Sequence, residues 1–232
     1  MTPKTMFFRI FMAIGFLTVV SAVPEDTNPN CQGWADAGEC EKNPSYMLKG
    51  CATSCERLAA AALREAEELK QISSFFDLSA NDIFGEPIQF SKFAGQVTVL
   101  VNVASECGYT DSHYRGLTKL WRQVKFTDQI NILAFPCDQF GHQEPGTNQE
   151  INRFAVEEYG VDFTMMEKID VNGPDASIVY KYLKSKAGPS SIGWNFATYY
   201  VVHPDGAIKS YSGVEPMELK DELLGILPAD EL

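Results

Sequence analysis

The stretch VTVLVNVASECGYTDSHYRGLTKLWRQV, residues 97–124, contains the two signals that decide the fold. Residues 97–104 form a continuous apolar run rich in β-branched side chains, which predicts a buried central strand. Apolar residues then recur at helical spacing, and Thr110 and Asp111 are candidates for the N-cap of the helix that this spacing predicts. Cys107 therefore falls in a strand-to-helix turn. The helix dipole and free N–H groups favour a thiolate there, so Cys107 is either a nucleophile or a buried structural cysteine.

The same alternation of strand and helix continues after residue 124. INILAFP, residues 130–136, predicts a second buried strand, and residues 148–159 predict a second helix. This order indicates two parallel strands. A terminal hairpin and a last helix are predicted over residues 196–203, 207–211 and 218–227. The pattern predicts an α/β domain over residues 73–228, with a thioredoxin-like mixed central sheet flanked by helices.

The charge balance limits the kinds of partner. The 232 residues include 19 basic and 31 acidic side chains, which give a net charge of -12 and a pI of about 4.7. An acidic protein lacks the basic surface that attracts phosphate backbones and anionic lipid headgroups. We therefore expect neither a nucleic acid nor a membrane as a partner.

Both ends of the sequence resemble targeting signals. Residues 1–22 have few charges, a short apolar run and small residues at the end, which predicts a cleaved signal peptide; a membrane anchor is the alternative. Residues 229–232, Ala-Asp-Glu-Leu, are similar to the KDEL retention signal. The sequence thus predicts a protein of the endoplasmic reticulum lumen, with secretion as the alternative.

Four of the six cysteines lie close together, within residues 31–55. This segment is too short to bury a core without cross-links, so we expect either disulfides or a zinc ion. The spacing lacks paired short Cys-x-x-Cys units and no histidine lies nearby, which favours disulfides and no metal. Four cysteines allow three pairings. Residues 56–72 follow, are rich in strong helix formers and predict a helical linker.

The pattern C-x2-WA-x2-GEC-x2-NP-x-YM-x3-C-x2-SC in residues 31–55 resembles the ShKT module, a small cysteine-rich domain. That module usually has six cysteines, joined first to sixth, second to fourth and third to fifth, and the two cysteines missing here are partners. The resemblance implies the disulfides Cys31–Cys51 and Cys40–Cys55. It also implies a recognition module, for which a stapled cap without a ligand is the alternative.

Three motifs, NVASECGYT around Cys107, FPCDQFGHQEPG at residues 135–146 and WNF at residues 194–196, together resemble the glutathione peroxidase family. In that family a peroxidatic cysteine or selenocysteine is surrounded by glutamine, tryptophan and asparagine. The resemblance implies Cys107 as the nucleophile and, around it, the side chains of Gln143, Trp194 and Asn195. Amide and indole N–H groups can hydrogen-bond a thiolate and a peroxide oxygen without supplying an acid.

Three further side chains in or near these motifs have competing interpretations. Gln139 lies four residues before Gln143, and we expect it to form a hydrogen bond in a loop or in the core. His113 could act as a base, but a solvated helical histidine is the favoured interpretation. Cys137 is either a resolving cysteine for Cys107 or a buried cysteine at the end of a strand.

The resemblance also implies the reaction. Cys107 would attack the O–O bond of hydrogen peroxide or a small hydroperoxide, become a sulfenic acid and release water or an alcohol, with no cofactor. Thr198 replaces the lysine of the family's WNF-x-K pattern, which disfavours anionic donors such as glutathione and favours a protein dithiol. ASECGYTDSHYRGL and the last residues resemble the family's members of the endoplasmic reticulum, which pass oxidising equivalents to protein disulfide isomerase.

The short stretch from Gly160 to Trp194 lacks the insertion that tetrameric members use, which implies a monomer. The sequence as a whole therefore predicts a cysteine-dependent thiol peroxidase. The alternative is a secretory-pathway binding or scaffold protein that acts through the ShKT-like module, with a slow or redox-sensing peroxidase domain.

Overall fold

The computed structural model describes residues 25–227. The predicted signal peptide, residues 1–22, and the predicted retention signal, residues 229–232, lie outside the described residues. The chain divides between Arg57 and Leu58 into two compact units. Within residues 25–227, none of the helices combines the length and apolar character that crossing a bilayer requires.

The cysteine-rich segment folds as short helices held by two disulfides. The helices are α1 (Cys31–Asp36), α2 (Glu39–Lys42) and α3 (Pro44–Gly50). Disulfides join Cys31 to Cys51 and Cys40 to Cys55, which is the pairing that the ShKT resemblance implies. Cys31, Cys51, Met47 and Ala35 are almost inaccessible to solvent, so one disulfide, one thioether and one methyl group form the interior of this small unit. Cys40 is only partly buried.

The predicted linker is the helix α4 (Ala52–Lys70), which begins four residues before the predicted start at residue 56. Its first turns contain Cys55, so the Cys40–Cys55 disulfide is attached directly to the helix. The prediction starts too late because Thr53, Ser54 and Cys55 are weak helix formers, so the composition of this first turn does not indicate a helix. Near its C-terminal end, Leu69 packs partly buried against the second hydrophobic cluster described below.

The large unit contains a two-stranded hairpin, β1 (Ser79–Asn81) with β2 (Pro87–Gln89), and a five-stranded sheet. The strands of the sheet are β3 (Val97–Val103), β4 (Ile130–Pro136), β5 (Thr164–Met165), β6 (Thr198–Val202) and β7 (Ile208–Ser212). Their order is β5-β4-β3-β6-β7. The β3–β4 and β4–β5 pairs are parallel, whereas the β3–β6 and β6–β7 pairs are antiparallel. The sheet is therefore mixed, as the sequence predicts.

Four helices accompany this sheet: α5 (Thr110–Val124), α6 (Asn148–Tyr159), α7 (Ile178–Lys186) and α8 (Lys220–Ile226). The prediction of Thr110 or Asp111 as the N-cap of α5 is wrong, because the N-cap is Tyr109 and Thr110 is the first helical residue. Helix α7 and the two-residue strand β5 were not predicted from the sequence.

Alternate side chains of β3 point to opposite faces of the sheet and separate two hydrophobic clusters. The first cluster includes Val99, Val101 and Cys107 with apolar residues of α5, α6 and α8. The second cluster includes Leu100 and Cys137 with apolar residues of α7 and the aromatic residues Phe75, Phe90, Phe93 and Phe135. The central strand is buried on both faces, which explains its unbroken apolar sequence.

Candidate active site

Cys107 lies in the turn between β3 and α5, and Thr110 fastens that turn. The Cys107 backbone N–H donates to Thr110 Oγ1 at 3.0 Å, and the Thr110 hydroxyl donates to the Ala104 carbonyl at 2.7 Å. The Thr110 N–H in turn donates to the Cys107 carbonyl at 3.0 Å. Only 7% of Cys107 is exposed. The turn therefore holds the thiol in a fixed, nearly covered position ahead of the helix.

Gln143 belongs to the loop after β4, and one backbone hydrogen bond ties it to the Cys107 turn. The N–H of Glu106 donates to the Gln143 carbonyl at 2.9 Å. The loop reverses at Gly141 and His142, which both have left-handed backbone conformations, with φ angles of 67° and 53°. Gln143 Oε1 is buried and has no hydrogen-bond partner among the described residues. The Gln143 side chain thus keeps an acceptor oxygen without a partner, in a loop whose backbone is hydrogen-bonded to the Cys107 turn.

Asn102, near the end of β3, holds the Trp194–Asn195 segment. Its Nδ2 donates to the Trp194 carbonyl at 3.3 Å and to Asn195 Oδ1 at 3.1 Å. Its own carbonyl accepts from the Phe196 N–H at 2.9 Å. Phe196 has a φ of 61°, an unusual conformation for a bulky residue, which these hydrogen bonds help to maintain. The role of Asn102 was not predicted, although Asn102 is one of only two polar residues, with Thr98, in the stretch VTVLVNVA.

The Trp194 and Asn195 side chains differ in accessibility. Asn195 is fully buried, and its Nδ2 has no acceptor among the described residues. Trp194 is 39% exposed, and its ring lies 5.7 Å from that of Phe140. The structure therefore attaches the Gln143 loop and the Trp194–Asn195 segment to the end of β3 and the turn after it, where Cys107 lies.

Cys137 lies directly after β4, and its N–H donates to the Val103 carbonyl at 3.0 Å. Its side chain is fully buried in the second cluster, whereas Cys107 belongs to the first. Burial raises the pKa of the Cys137 thiol to about 11. Cys137 thus has the surroundings of a structural, protonated thiol.

Gln139 has the structural role that the sequence analysis favours. Its Oε1 accepts from the Val171 and Asn172 N–H groups, each at 2.9 Å, and its Nε2 donates to the Asn172 carbonyl at 2.9 Å. These three hydrogen bonds use the Gln139 amide to hold the segment that leads to α7.

His113 contradicts the expectation of a solvated side chain. It is only 5% exposed, and its Nδ1 lies 2.6 Å from Tyr199 Oη. Burial lowers the pKa of the His113 imidazole, and the Glu215 carboxylate, 3.7 Å away, partly opposes this effect. The expectation failed because the helix face that carries His113 is covered by the aromatic rings of Phe196 and Tyr199. His113 is a core histidine.

A cavity of about 370 Å³ opens beside Trp194. Its walls are formed by Tyr109, His113, Trp194, Phe196, Ala197, Gly213, Val214 and Glu215. Tyr109 is 53% exposed, so the cavity has aromatic surface at its rim. Among the residues that the structure describes, this lining contains one carboxylate, that of Glu215, and no lysine or arginine.

Known proteins similar to this chain show its family. A family model for glutathione peroxidase matches residues 75–184. Glutathione peroxidase 7 of Mus musculus is 43% identical over 162 residues, which are 70% of this chain and 83% of the relative. The chain belongs to the glutathione peroxidase family. The protein is a peroxidase.

Other glutathione peroxidase relatives and solved structures agree with this family. The glutathione peroxidase-like peroxiredoxin gpx1 of Schizosaccharomyces pombe is 41% identical over 160 residues, 67% of this chain and 100% of the relative. The crystal structure of Trgpx in apo form is 31% identical, with a TM-score of 0.55 over 66% of this chain and 95% of that one. The thioredoxin-like fold prediction is confirmed. A second model, ShK domain-like, matches residues 23–57, which confirms the resemblance of the cysteine-rich segment.

Proposed function

We propose that Cys107 reduces hydrogen peroxide or a small hydroperoxide. Its thiolate attacks one peroxide oxygen, the O–O bond breaks, and the leaving oxygen takes a proton to become water or an alcohol while Cys107 becomes a sulfenic acid. In this proposal, N–H groups of Gln143, Trp194 and Asn195 stabilise the thiolate and the peroxide oxygen. The supporting observation is that Glu106 and Asn102 hydrogen-bond the two segments that carry these side chains to the Cys107 strand and turn.

We infer that a protein dithiol, such as that of a disulfide isomerase, restores the thiol. One donor thiolate attacks the Cys107 sulfur and displaces water, after proton uptake; the second thiolate then releases Cys107 and leaves the donor as a disulfide. The cavity beside Trp194 supports a protein donor over glutathione, because its charged lining is the carboxylate of Glu215 and glutathione is an anion. Thr198 replaces the family's lysine, so this position supplies no positive charge to an anionic donor. The Thr198 side chain is buried, and its Oγ1 lies 3.2 Å from Ser212 Oγ.

We propose the endoplasmic reticulum lumen as the location and a monomer as the state of the protein. The retention-like residues 229–232 and the signal-like residues 1–22 support the location. The short stretch between Gly160 and Trp194 supports the monomer. Immunofluorescence tests the location. The protein should show a reticular signal, and removal of residues 229–232 should abolish that signal. Sedimentation velocity tests the monomer.

The decisive experiment on Cys107 is stopped-flow intrinsic fluorescence of the reduced protein mixed with hydrogen peroxide. Wild type should show a rapid change and Cys107→Ser none, with Cys137→Ser as a matched control that behaves like wild type. Mass spectrometry should find the added oxygen on Cys107. Full peroxide consumption by Cys107→Ser would refute the proposal. Recovery of the reduced signal with protein disulfide isomerase, compared with glutathione, then identifies the donor class.

A second candidate function is binding by the ShK-like segment. A depression of about 400 Å³ in that unit is lined by Trp34, Ala37, Glu39, Asn43, Tyr46 and Met47. Trp34 is partly buried and Tyr46 is 52% exposed, and their rings form an edge-to-face pair with centroids 5.8 Å apart. Trp and Tyr side chains often anchor protein partners. Loss of partner capture in Trp34→Ala, with unchanged peroxide kinetics, would support this function; unchanged capture would refute it.

A further inference from the structure

Glu144 is a fully buried carboxyl group directly after Gln143. The Ser105 hydroxyl donates to Glu144 Oε1 at 2.6 Å, and the Glu144 N–H donates to Asp138 Oδ1 at 2.9 Å. The second carboxyl oxygen, Oε2, is buried and has no hydrogen-bond partner among the described residues. Burying a carboxyl group with only one of its two oxygens hydrogen-bonded is unfavourable, so Glu144 is not explained by a contribution to stability.

The Ser105–Glu144 hydrogen bond lies beside a second link between the same two loops. The backbone N–H of Glu106, the next residue, donates to the carbonyl of Gln143, the residue before Glu144. One side-chain bond and one backbone bond thus join the Cys107 turn to the Gln143 loop. The side-chain bond is the one whose strength depends on the charge of a titratable group.

Charged and titratable groups approach Glu144 from several elements. Lys168 Nζ donates to the Glu144 and Gly146 carbonyls at 3.0 and 2.7 Å. Tyr114, on α5, is fully buried and its Oη has no partner among the described residues. The other groups near this loop are Asp138, which pairs with His142 at 3.1 Å, and Glu106 and Glu150, which line a surface depression with Glu144.

These surroundings set the ionisation of Glu144 near neutral pH. Burial raises the pKa of the Glu144 carboxyl to about 7, against the opposing effects of the Ser105 hydrogen bond and the Lys168 ammonium. Both forms of the carboxyl are therefore populated close to pH 7. The hydrogen bond from Ser105 is stronger to the ionised form than to the neutral form.

We propose that Glu144 is a positioning residue whose ionised carboxylate, acting through Ser105, holds the Cys107 turn against the Gln143 loop in the geometry that reacts with peroxide. The inference rests on the proposed role of Cys107. Protonation of Glu144 weakens the link, and the thiolate and the Gln143 amide are then less well aligned. The peroxidase thus gains a pH dependence that is separate from the ionisation of its own thiol.

The test compares the rate of Cys107 oxidation by hydrogen peroxide with its rate of alkylation by iodoacetamide from pH 5.5 to 8.5. Both reactions need the thiolate, so their ratio removes the titration of Cys107 itself. In wild type, the ratio of oxidation rate to alkylation rate should rise roughly 3- to 10-fold as the pH increases, because a change of this size corresponds to one weakened hydrogen bond. The midpoint of the rise should lie near the Glu144 pKa. In Glu144→Gln, which keeps an acceptor oxygen but cannot ionise, the ratio should stay flat at its low value.

Variants of Ser105 provide the matched control. Ser105→Ala removes the donor and should flatten the ratio as Glu144→Gln does, whereas Ser105→Thr keeps a hydroxyl and should restore the rise. Circular dichroism checks that each variant folds. A ratio that rises equally in wild type and Glu144→Gln would overturn this inference alone. A wild-type protein that does not react with peroxide would instead overturn the proposed function and, with it, this inference.

Discussion

Cys107 and Cys137 lie on opposite faces of the central sheet, each within a different hydrophobic cluster. They follow neighbouring parallel strands, and the Cys137 N–H bonds to the last residue of β3. The ends of these two neighbouring strands are hydrogen-bonded to each other, but the Cys107 and Cys137 side chains pack into different clusters. A disulfide between these two cysteines therefore requires the Cys137 segment to leave the core.

Replacement of Cys137 should leave the peroxidase working. We expect Cys137→Ser to keep the rate of Cys107 oxidation and the turnover with a protein dithiol, because its thiol is buried and protonated at neutral pH. Non-reducing peptide mapping of peroxide-treated wild type should find no Cys107–Cys137 disulfide. Loss of turnover together with detection of that disulfide would show that Cys137 resolves the sulfenic acid.

Replacement of Asn102 in β3 should lower both the stability of the protein and its rate of reaction with peroxide. Asn102→Ala removes the donor to the Trp194 carbonyl and to Asn195 Oδ1, and leaves that buried oxygen without a partner. We expect a loss of about 1–3 kcal/mol in the free energy of unfolding, measured in urea, and a slower reaction with peroxide.

Thr98 offers a matched control for Asn102 on the same strand. It is fully buried, and its hydroxyl has no partner among the described residues. Thr98→Val should therefore leave the peroxide rate unchanged and should not lower stability. Equal effects of the two substitutions would mean that Asn102 acts only as a core residue.

Much of the fold was predictable because local signals and tertiary burial agree. The run in β3 and the capping box at Thr147 and Glu150, which begins α6, are both plain in the sequence. β5 was not predictable, because two residues carry no periodicity and the strand exists only through pairing with β4. The motifs point to four candidate residues, but the roles of Asn102 and Ser105 depend on contacts across 93 and 39 residues.

Replacement of Glu144 should change how stability depends on pH. Its folded-state pKa of about 7 lies above its ordinary value of 4.5, so the folded protein binds the proton more tightly. The resulting stabilisation is present below pH 4.5 and is lost as the pH rises to 7. At pH 8, the free energy of unfolding of Glu144→Gln should therefore exceed that of wild type by about 1–3 kcal/mol. At pH 5 this difference should be smaller. Urea unfolding at both pH values checks this; an equal difference at both would contradict it.

His113 should have the opposite effect on acid stability. Its folded-state pKa is lowered by burial, so the unfolded chain binds a proton more readily than the folded protein does. Stability should fall as the pH drops below the ordinary histidine pKa of about 6.5. His113→Gln should reduce that fall, because the substituted side chain binds no proton in either the folded or the unfolded state. The measurement is thermal unfolding between pH 5 and 7.5.

The apolar surroundings of Cys107 also bear on how the enzyme withstands its own substrate. A second oxidation would convert the sulfenic acid to a sulfinate, which carries a full charge and a further oxygen. Cys107 is 7% exposed and belongs to the first cluster, whose close packing leaves little room for the further oxygen. Irreversible inactivation should consequently need a large excess of oxidant. The packing of the first cluster thus protects Cys107 from over-oxidation and prolongs the active lifetime of the enzyme.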